Sequence, residues 1–210
     1  MSITVNESMK TGTTTVGIIA KDAVVLAADM RATAGNFIAN KHVKKVLPVT
    51  DTIAITTAGS VSDIQLLAKY LRSELQLQTI RTGRAPTVKE TANLLSGWVY
   101  GMVRRMIPSV THFLLGGYDK KPGLYDIYMD GSLSEAEDFV ASGSGSLFAY
   151  GVLETNYKKD LTSQQAVDLA VKAINAALQR DSASGGGVIV AVVDKQGYRE
   201  VLKKTITTTI

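Results

Sequence analysis

The chain of 210 residues contains no cysteine. That absence excludes disulfides, thiolate metal sites and cysteine nucleophiles, and it suits a reducing compartment. Histidine is almost as scarce, with only His42 and His112. Their positions lack the spacing of a metal pair, so both read as structural or surface residues, and neither a metal nor a cofactor is expected. No G-x-S-x-G elbow and no G-x-x-x-x-G-K-[ST] loop occurs. Gly143-Ser144-Gly145 is not a dinucleotide fingerprint, because Phe148 stands where the third glycine belongs. Long apolar runs are missing too: residues 188–193 fall far short of the roughly 20 that span a bilayer. The opening dozen residues carry Asn6, Glu7 and Lys10 and no apolar stretch, which argues against a secretory signal. Charge of one sign is also scarce. Lys plus Arg number 23 against 19 Asp plus Glu, a net +4 scattered in pairs such as Lys44-Lys45 and Arg104-Arg105. Neither nucleic acid nor membrane is an expected partner, and the chain is expected to be cytoplasmic.

What remains is ordinary globular material, 45% apolar and 20% charged, enough for one domain with a substantial core. Residues 14–20 and 23–28 read as β runs joined by a Lys21-Asp22 turn, with a loop over 30–40 around Gly35-Asn36. Strands follow over 43–49 and 53–57. Ser60 with Asp63 reads as a capping box, opening a helix at Val61 with Val61, Ile64, Leu67, Ala68, Leu71 and Leu75 on one face. Thr87 with Glu90 opens a second helix, which carries Ala92, Leu95, Val99, Met102 and Met106 and stops before Pro108. Strands return over 111–115, 124–129 and 139–142, with Gly116-Gly117 as a bulge or bend. A short helix runs to about Tyr157, Thr162 with Gln165 caps another, and strands over 188–193 and 198–202 close the chain. Strands, two helices, strands, two helices, strands: the order predicts an α+β fold. Two mostly antiparallel sheets would lie between helix pairs as a four-layer α-β-β-α sandwich.

The chemistry left open is that of a threonine. In Lys10-Thr11-Gly12-Thr13-Thr14-Thr15-Val16-Gly17 a glycine precedes a threonine at the start of a strand. One reading is a leader running into an edge strand. The other is a cut between Gly12 and Thr13, leaving Thr13 with its hydroxyl beside a free α-amine, a nucleophile with a built-in base.

Six motifs in order decide between them by resemblance. They are Gly12-Thr13-Thr14-Thr15-Val16-Gly17, Leu26-Ala27-Ala28-Asp29-Met30-Arg31-Ala32-Thr33, Lys44-Lys45, Thr57-Ala58-Gly59-Ser60, the stretch from Gly143-Ser144-Gly145-Ser146 to Gly151, and Arg180-Asp181-Ser182-Ala183-Ser184-Gly185. With them the whole chain resembles the catalytic β-subunits of the archaeal-type 20S proteasome, within the N-terminal-nucleophile (Ntn) hydrolases. The resemblance implies a threonine endopeptidase with a propeptide at residues 1–12, removed by self-cleavage, and one domain at 13–210. It implies Thr13 as nucleophile, with Lys45 beside it, Asp29 holding Lys45, and Ser144, Asp181 and Ser184 around the Thr13 nitrogen. Gly59 would give its N–H to the oxyanion. Ala32, Thr33, Val43, Thr57 and Val61 would line the substrate side, a small and mostly apolar surface. The implied partners are α-subunits and other β-subunits, in heptameric β rings within a core of twenty-eight chains. A polypeptide substrate and a regulatory ATPase acting through the α rings complete the set. The alternative within the same family is a silent, unprocessed β-subunit that only fills the ring.

Overall fold

A computed structural model describes residues 12–106 and 110–206. The expected leader up to Thr11, and Pro108 beyond the second helix, lie outside the described residues.

Two five-stranded antiparallel sheets carry the fold. The first runs in the order β10 (Phe139–Ser142), β1 (Thr15–Ile19), β2 (Ala23–Asp29), β11 (Gly187–Asp194), β12 (Gly197–Thr205). The second runs β5 (Val46–Thr50), β6 (Ile53–Gly59), β7 (Thr111–Tyr118), β8 (Pro122–Ile127), β9 (Leu133–Ala136). Helices α3 (Ser146–Asn156) and α4 (Ser163–Arg180) cover the first sheet, and α1 (Val61–Thr82) and α2 (Val88–Arg104) cover the second. Three apolar layers follow. Val16, Val25, Val190 and Ile174 lie between the first sheet and its helices. Leu71, Leu95, Phe113 and Ile127 lie under α1 and α2. Leu26, Ala54, Leu114, Leu124 and Ile189 lie between the sheets. This is the four-layer sandwich expected from the order of elements.

Local chemistry explains most boundaries. Both the Thr87–Glu90 and Thr162–Gln165 pairs form reciprocal capping boxes. Helix α1 ends on Gly83, which takes the left-handed conformation (φ 70°) that a glycine tolerates best.

Four readings are corrected. Ser60 is the N-cap of α1, but its side chain makes no cap bond and turns instead to the Ser62 hydroxyl at 3.1 Å. The expected loop over 30–40 contains a hairpin, β3 (Ala32–Ala34) and β4 (Phe37–Asn40); β4 is exposed throughout, so no inward face marked it in the sequence. Gly116 and Gly117 stay in register within β7. They are small because the layers close on them: a Cβ on Gly116 would meet Val24 of the facing sheet at 2.7 Å, and one on Gly117 would meet Val88 of α2 at 2.9 Å. Met106 lies beyond the end of α2 and is 92% exposed, not core.

Candidate active site

Asp29 closes β2 and is fully buried. A buried carboxylate needs its oxygens satisfied, and four donors do so. Thr14 N (3.0 Å) and Lys45 Nζ (2.6 Å) donate to Oδ1, and Arg31 N (3.0 Å) and Gly185 N (2.9 Å) donate to Oδ2. Three separate segments are thereby fastened at one point.

Lys45 precedes β5 and is only 4% exposed. Its carbonyl accepts Thr57 N from β6 at 3.0 Å, which sets its side chain across the gap toward Asp29. Burial holds the Lys45 ammonium below the usual lysine range, while Asp29 pulls in the opposite direction. The same Nζ donates to Thr13 Oγ1 at 3.1 Å. Thr13 Oγ1 in turn donates to the Gly12 carbonyl at 2.6 Å. The hydroxyl thus sits between a tunable amine and the carbonyl of the preceding residue.

The loop after β10 wraps the other side of Thr13. Gly145 N donates to the Thr13 carbonyl at 3.3 Å, and Thr13 N donates to Ser144 Oγ at 3.2 Å. Gly143 (φ 90°) must be glycine here, since a Cβ would fall 2.1 Å from the Thr13 carbonyl oxygen. Ser144 Oγ and Ser184 Oγ both donate to Asp181 Oδ2, each at 2.6 Å. An ionised carboxylate only accepts, so the Ser184 proton points at Asp181, and the 2.7 Å contact from Thr14 Oγ1 is then Thr14 donating to Ser184.

Gly59 ends β6 with φ 117°, where a Cβ would lie 1.7 Å from the Val110 carbonyl. It stands beside Thr13 just ahead of α1, whose N-terminus favours negative charge. On one side of Thr13 lies a cavity of about 270 Å³ lined by Ala32, Thr33, Val43, Thr57, Gly59 and Val61. Val61, read as the first core residue of α1, is 45% exposed and faces this cavity.

All the residues expected around Thr13 are therefore brought together. Others were not foreseen. Leu47 and Ile64 line the cavity although their apolar character suited the core, and Gln65 joins them one residue on. Thr14 looked like a strand start but holds Asp29 and Ser184 through backbone and side chain. Arg31 ties Asp29 to the 181–185 loop by donating its Nη1 to the Ser182 carbonyl at 3.0 Å. His112 pairs with Asp126 and lies against the Tyr128 ring, a structural arrangement. Among the described residues no cluster of three His, Asp or Glu side chains could hold a metal ion.

The profile of one family, the proteasome subunit, matches residues 9–193. The chain belongs to the proteasome subunit family. A proteasome subunit beta of Ferroglobus placidus is 46% identical to it over 203 residues, 96% of each chain. That of Archaeoglobus profundus is 45% identical over 203 residues, 96% of this chain and 94% of the relative. Proteasome subunit beta 1 of Thermococcus sibiricus is 44% identical over 195 residues, 93% of each. In this proteasome subunit every motif behind the resemblance converges on the Gly12-Thr13 bond. The described residues contain no helix long and apolar enough to cross a membrane.

Proposed function

We propose that this proteasome subunit is a catalytic β-type chain, a threonine endopeptidase that activates itself by cutting Gly12-Thr13. The observation that carries this reading is the placement of Thr13 Oγ1, 3.1 Å from buried Lys45 Nζ and 2.6 Å from the Gly12 carbonyl oxygen.

Before the cut the Thr13 nitrogen is an amide and cannot act as a base. Lys45, its proton affinity lowered by burial, takes the hydroxyl proton as Oγ1 attacks the Gly12 carbonyl carbon. The Gly12–Thr13 C–N bond breaks, the nitrogen takes the proton, and the acyl group passes to Oγ1 as an ester. Water then hydrolyses the ester, releasing the Gly12 carboxylate and a free Thr13 hydroxyl and amine. An ordinary α-amine titrates at about 7.7–8, close to where a general base is most useful. Ser144, held by Asp181, lies within 3.2 Å of the nitrogen to orient it.

In turnover the amine takes the Oγ1 proton and Oγ1 attacks the substrate carbonyl. The oxyanion forms beside the Gly59 N–H at the N-terminus of α1, where fixed dipoles stabilise it. The ammonium protonates the leaving nitrogen, and water cleaves the acyl-enzyme. The peptide lies as an added strand along Thr33 and Gly59, and the apolar cavity accepts the side chain before the cut.

The subunit works within a proteasome core alongside α-type and other β-type subunits, in heptameric β rings fed by a regulatory ATPase, in the cytoplasm. Enclosure confines an indiscriminate protease, and the leader keeps each chain silent until it is in place.

Thr13→Ala and Lys45→Ala test the reading. Each should lower hydrolysis of a fluorogenic peptide by more than about 1,000-fold while the particle still assembles on size-exclusion chromatography. Wild-type turnover by assembled particles of either variant overturns it.

A further inference from the structure

Gly12 is held at both ends. Its N–H donates to Thr33 Oγ1 at 3.0 Å, and its carbonyl accepts Thr13 Oγ1 at 2.6 Å. Between these anchors it is pressed against the loop that follows α4. A Cβ on residue 12 would fall 1.7 Å from Ala183 Cβ, 2.8 Å from Ala183 Cα and 3.0 Å from its carbonyl carbon. Atoms that close must move apart.

Neither side is free to move. Residue 12 cannot slide without giving up the Thr33 bond or drawing its carbonyl away from Thr13 Oγ1. Ala183 cannot back off easily, because its N–H donates to Asp181 Oδ1 at 3.3 Å and Ser184 N donates to the Asp181 carbonyl at 3.3 Å. Arg31 holds the intervening Ser182 carbonyl at 3.0 Å. Any shift of residue 183 also disturbs the Asp181 carboxylate, which collects Ser144 and Ser184 around Thr13.

We infer that Ala183 is a specificity-determining residue for self-cleavage, a steric gauge that admits only glycine before Thr13. The inference rests on the self-cleavage proposed above and adds to it a cause for the glycine. The Ala183 methyl occupies the space of a side chain at position 12, so only glycine lets the scissile carbonyl meet Oγ1 while Thr33 holds the preceding N–H. Thr33 positions the leader and Ala183 measures it; neither forms a bond in the reaction. If glycine served backbone freedom alone, a change at residue 183 could not compensate for a side chain at residue 12.

The test co-expresses the full chain with its α-subunit partner and follows Gly12-Thr13 cleavage by intact mass over time. Gly12→Ala should slow cleavage at least about tenfold, and Gly12→Val further, in line with the cost of overpacking a closed site. Adding Ala183→Gly to Gly12→Ala should restore at least about threefold of the lost rate. Restoration stays partial because the Ala183 Cα and carbonyl carbon, at 2.8 and 3.0 Å, still crowd a Cβ on residue 12 once the Ala183 methyl is gone. Gly12→Ala cleaved at the wild-type rate overturns the gauge, and that arm does not depend on how the Ala183 variant folds. A double variant no faster than Gly12→Ala overturns it as well. A wild-type chain that stays uncut instead overturns the self-cleavage reading, and the gauge falls with it; an uncut Gly12→Ala beside a cut wild type cannot be confused with that result.

Discussion

Asp29→Asn keeps the shape of the side chain and removes its charge, in a place where all four contacts to the carboxylate come from donors. Whichever way the amide is turned, its NH2 faces two donors it cannot accept from. With Oδ1 kept toward Thr14 and Lys45, the NH2 meets the amides of Arg31 and Gly185. Reversed, it meets the Lys45 ammonium. Breaking one partner of a buried ion pair costs about 3–5 kcal/mol. Leaving buried amides unmatched adds about 1–3 kcal/mol each. A total on the order of 5 kcal/mol is a large share of the ~5–15 kcal/mol that holds a typical domain. With a urea m-value of about 2 kcal/mol/M, the unfolding midpoint of the chain should fall by about 2.5 M. Activity should fall separately. Asp29 holds Lys45 Nζ at 2.6 Å, so without it Lys45 loses the contact that keeps Nζ 3.1 Å from Thr13 Oγ1. Hydrolysis of a fluorogenic peptide at a urea-free, fully folded temperature should drop at least about 100-fold. An Asp29→Asn chain that unfolds within about 1 kcal/mol of wild type and turns over normally would refute the argument.

Lys45→Arg keeps the charge but cannot release a proton, so cleavage of Gly12-Thr13, read by intact mass, should cease even where the particle assembles. The pH dependence of that cleavage carries a sign. Burial lowers the Lys45 pKa from its usual 10.5. The neutral amine therefore accumulates as pH rises through a value below the ordinary lysine range. Cleavage should accelerate with pH and level off before the pH at which an exposed lysine would titrate; a rate that falls between about pH 6 and 9 contradicts Lys45 as the base. Gly143→Ala places a methyl 2.1 Å from the Thr13 carbonyl at φ 90°, and should cost roughly 2 kcal/mol or more in urea unfolding together with most peptide hydrolysis.

Local signals in the sequence carried most of the fold. The boxes at Thr87 and Thr162 are complete within four residues, so the starts of α2 and α4 were legible. The hairpin of β3 and β4 was not, because Phe37 and Ile38 point into solvent and no alternation distinguishes it from a loop. Ser60 and Asp63 have the spacing of a capping box, yet the Ser60 hydroxyl bonds Ser62, a neighbour that competes locally for the same group. At the site, residue types alone left open whether Thr13 started an edge strand or was freed by a cut after Gly12. The resemblance supplied Asp29, Lys45, Ser144, Asp181 and Ser184. The remaining contacts join residues far apart in the chain: Thr14 to Ser184, Gly12 to Thr33 and Gly12 to Ala183. Nothing in the chemistry of a threonine or an alanine announces such pairings before the two sheets bring them together.

The intact mass of this chain in the assembled particle tests the central claim most directly. Self-cleavage predicts a chain that begins at Thr13, lighter by the twelve residues ahead of it, and a Thr13→Ala chain that keeps its full mass. A wild-type chain that retains its first twelve residues in a fully assembled particle would make this a silent member of the ring and contradict the account.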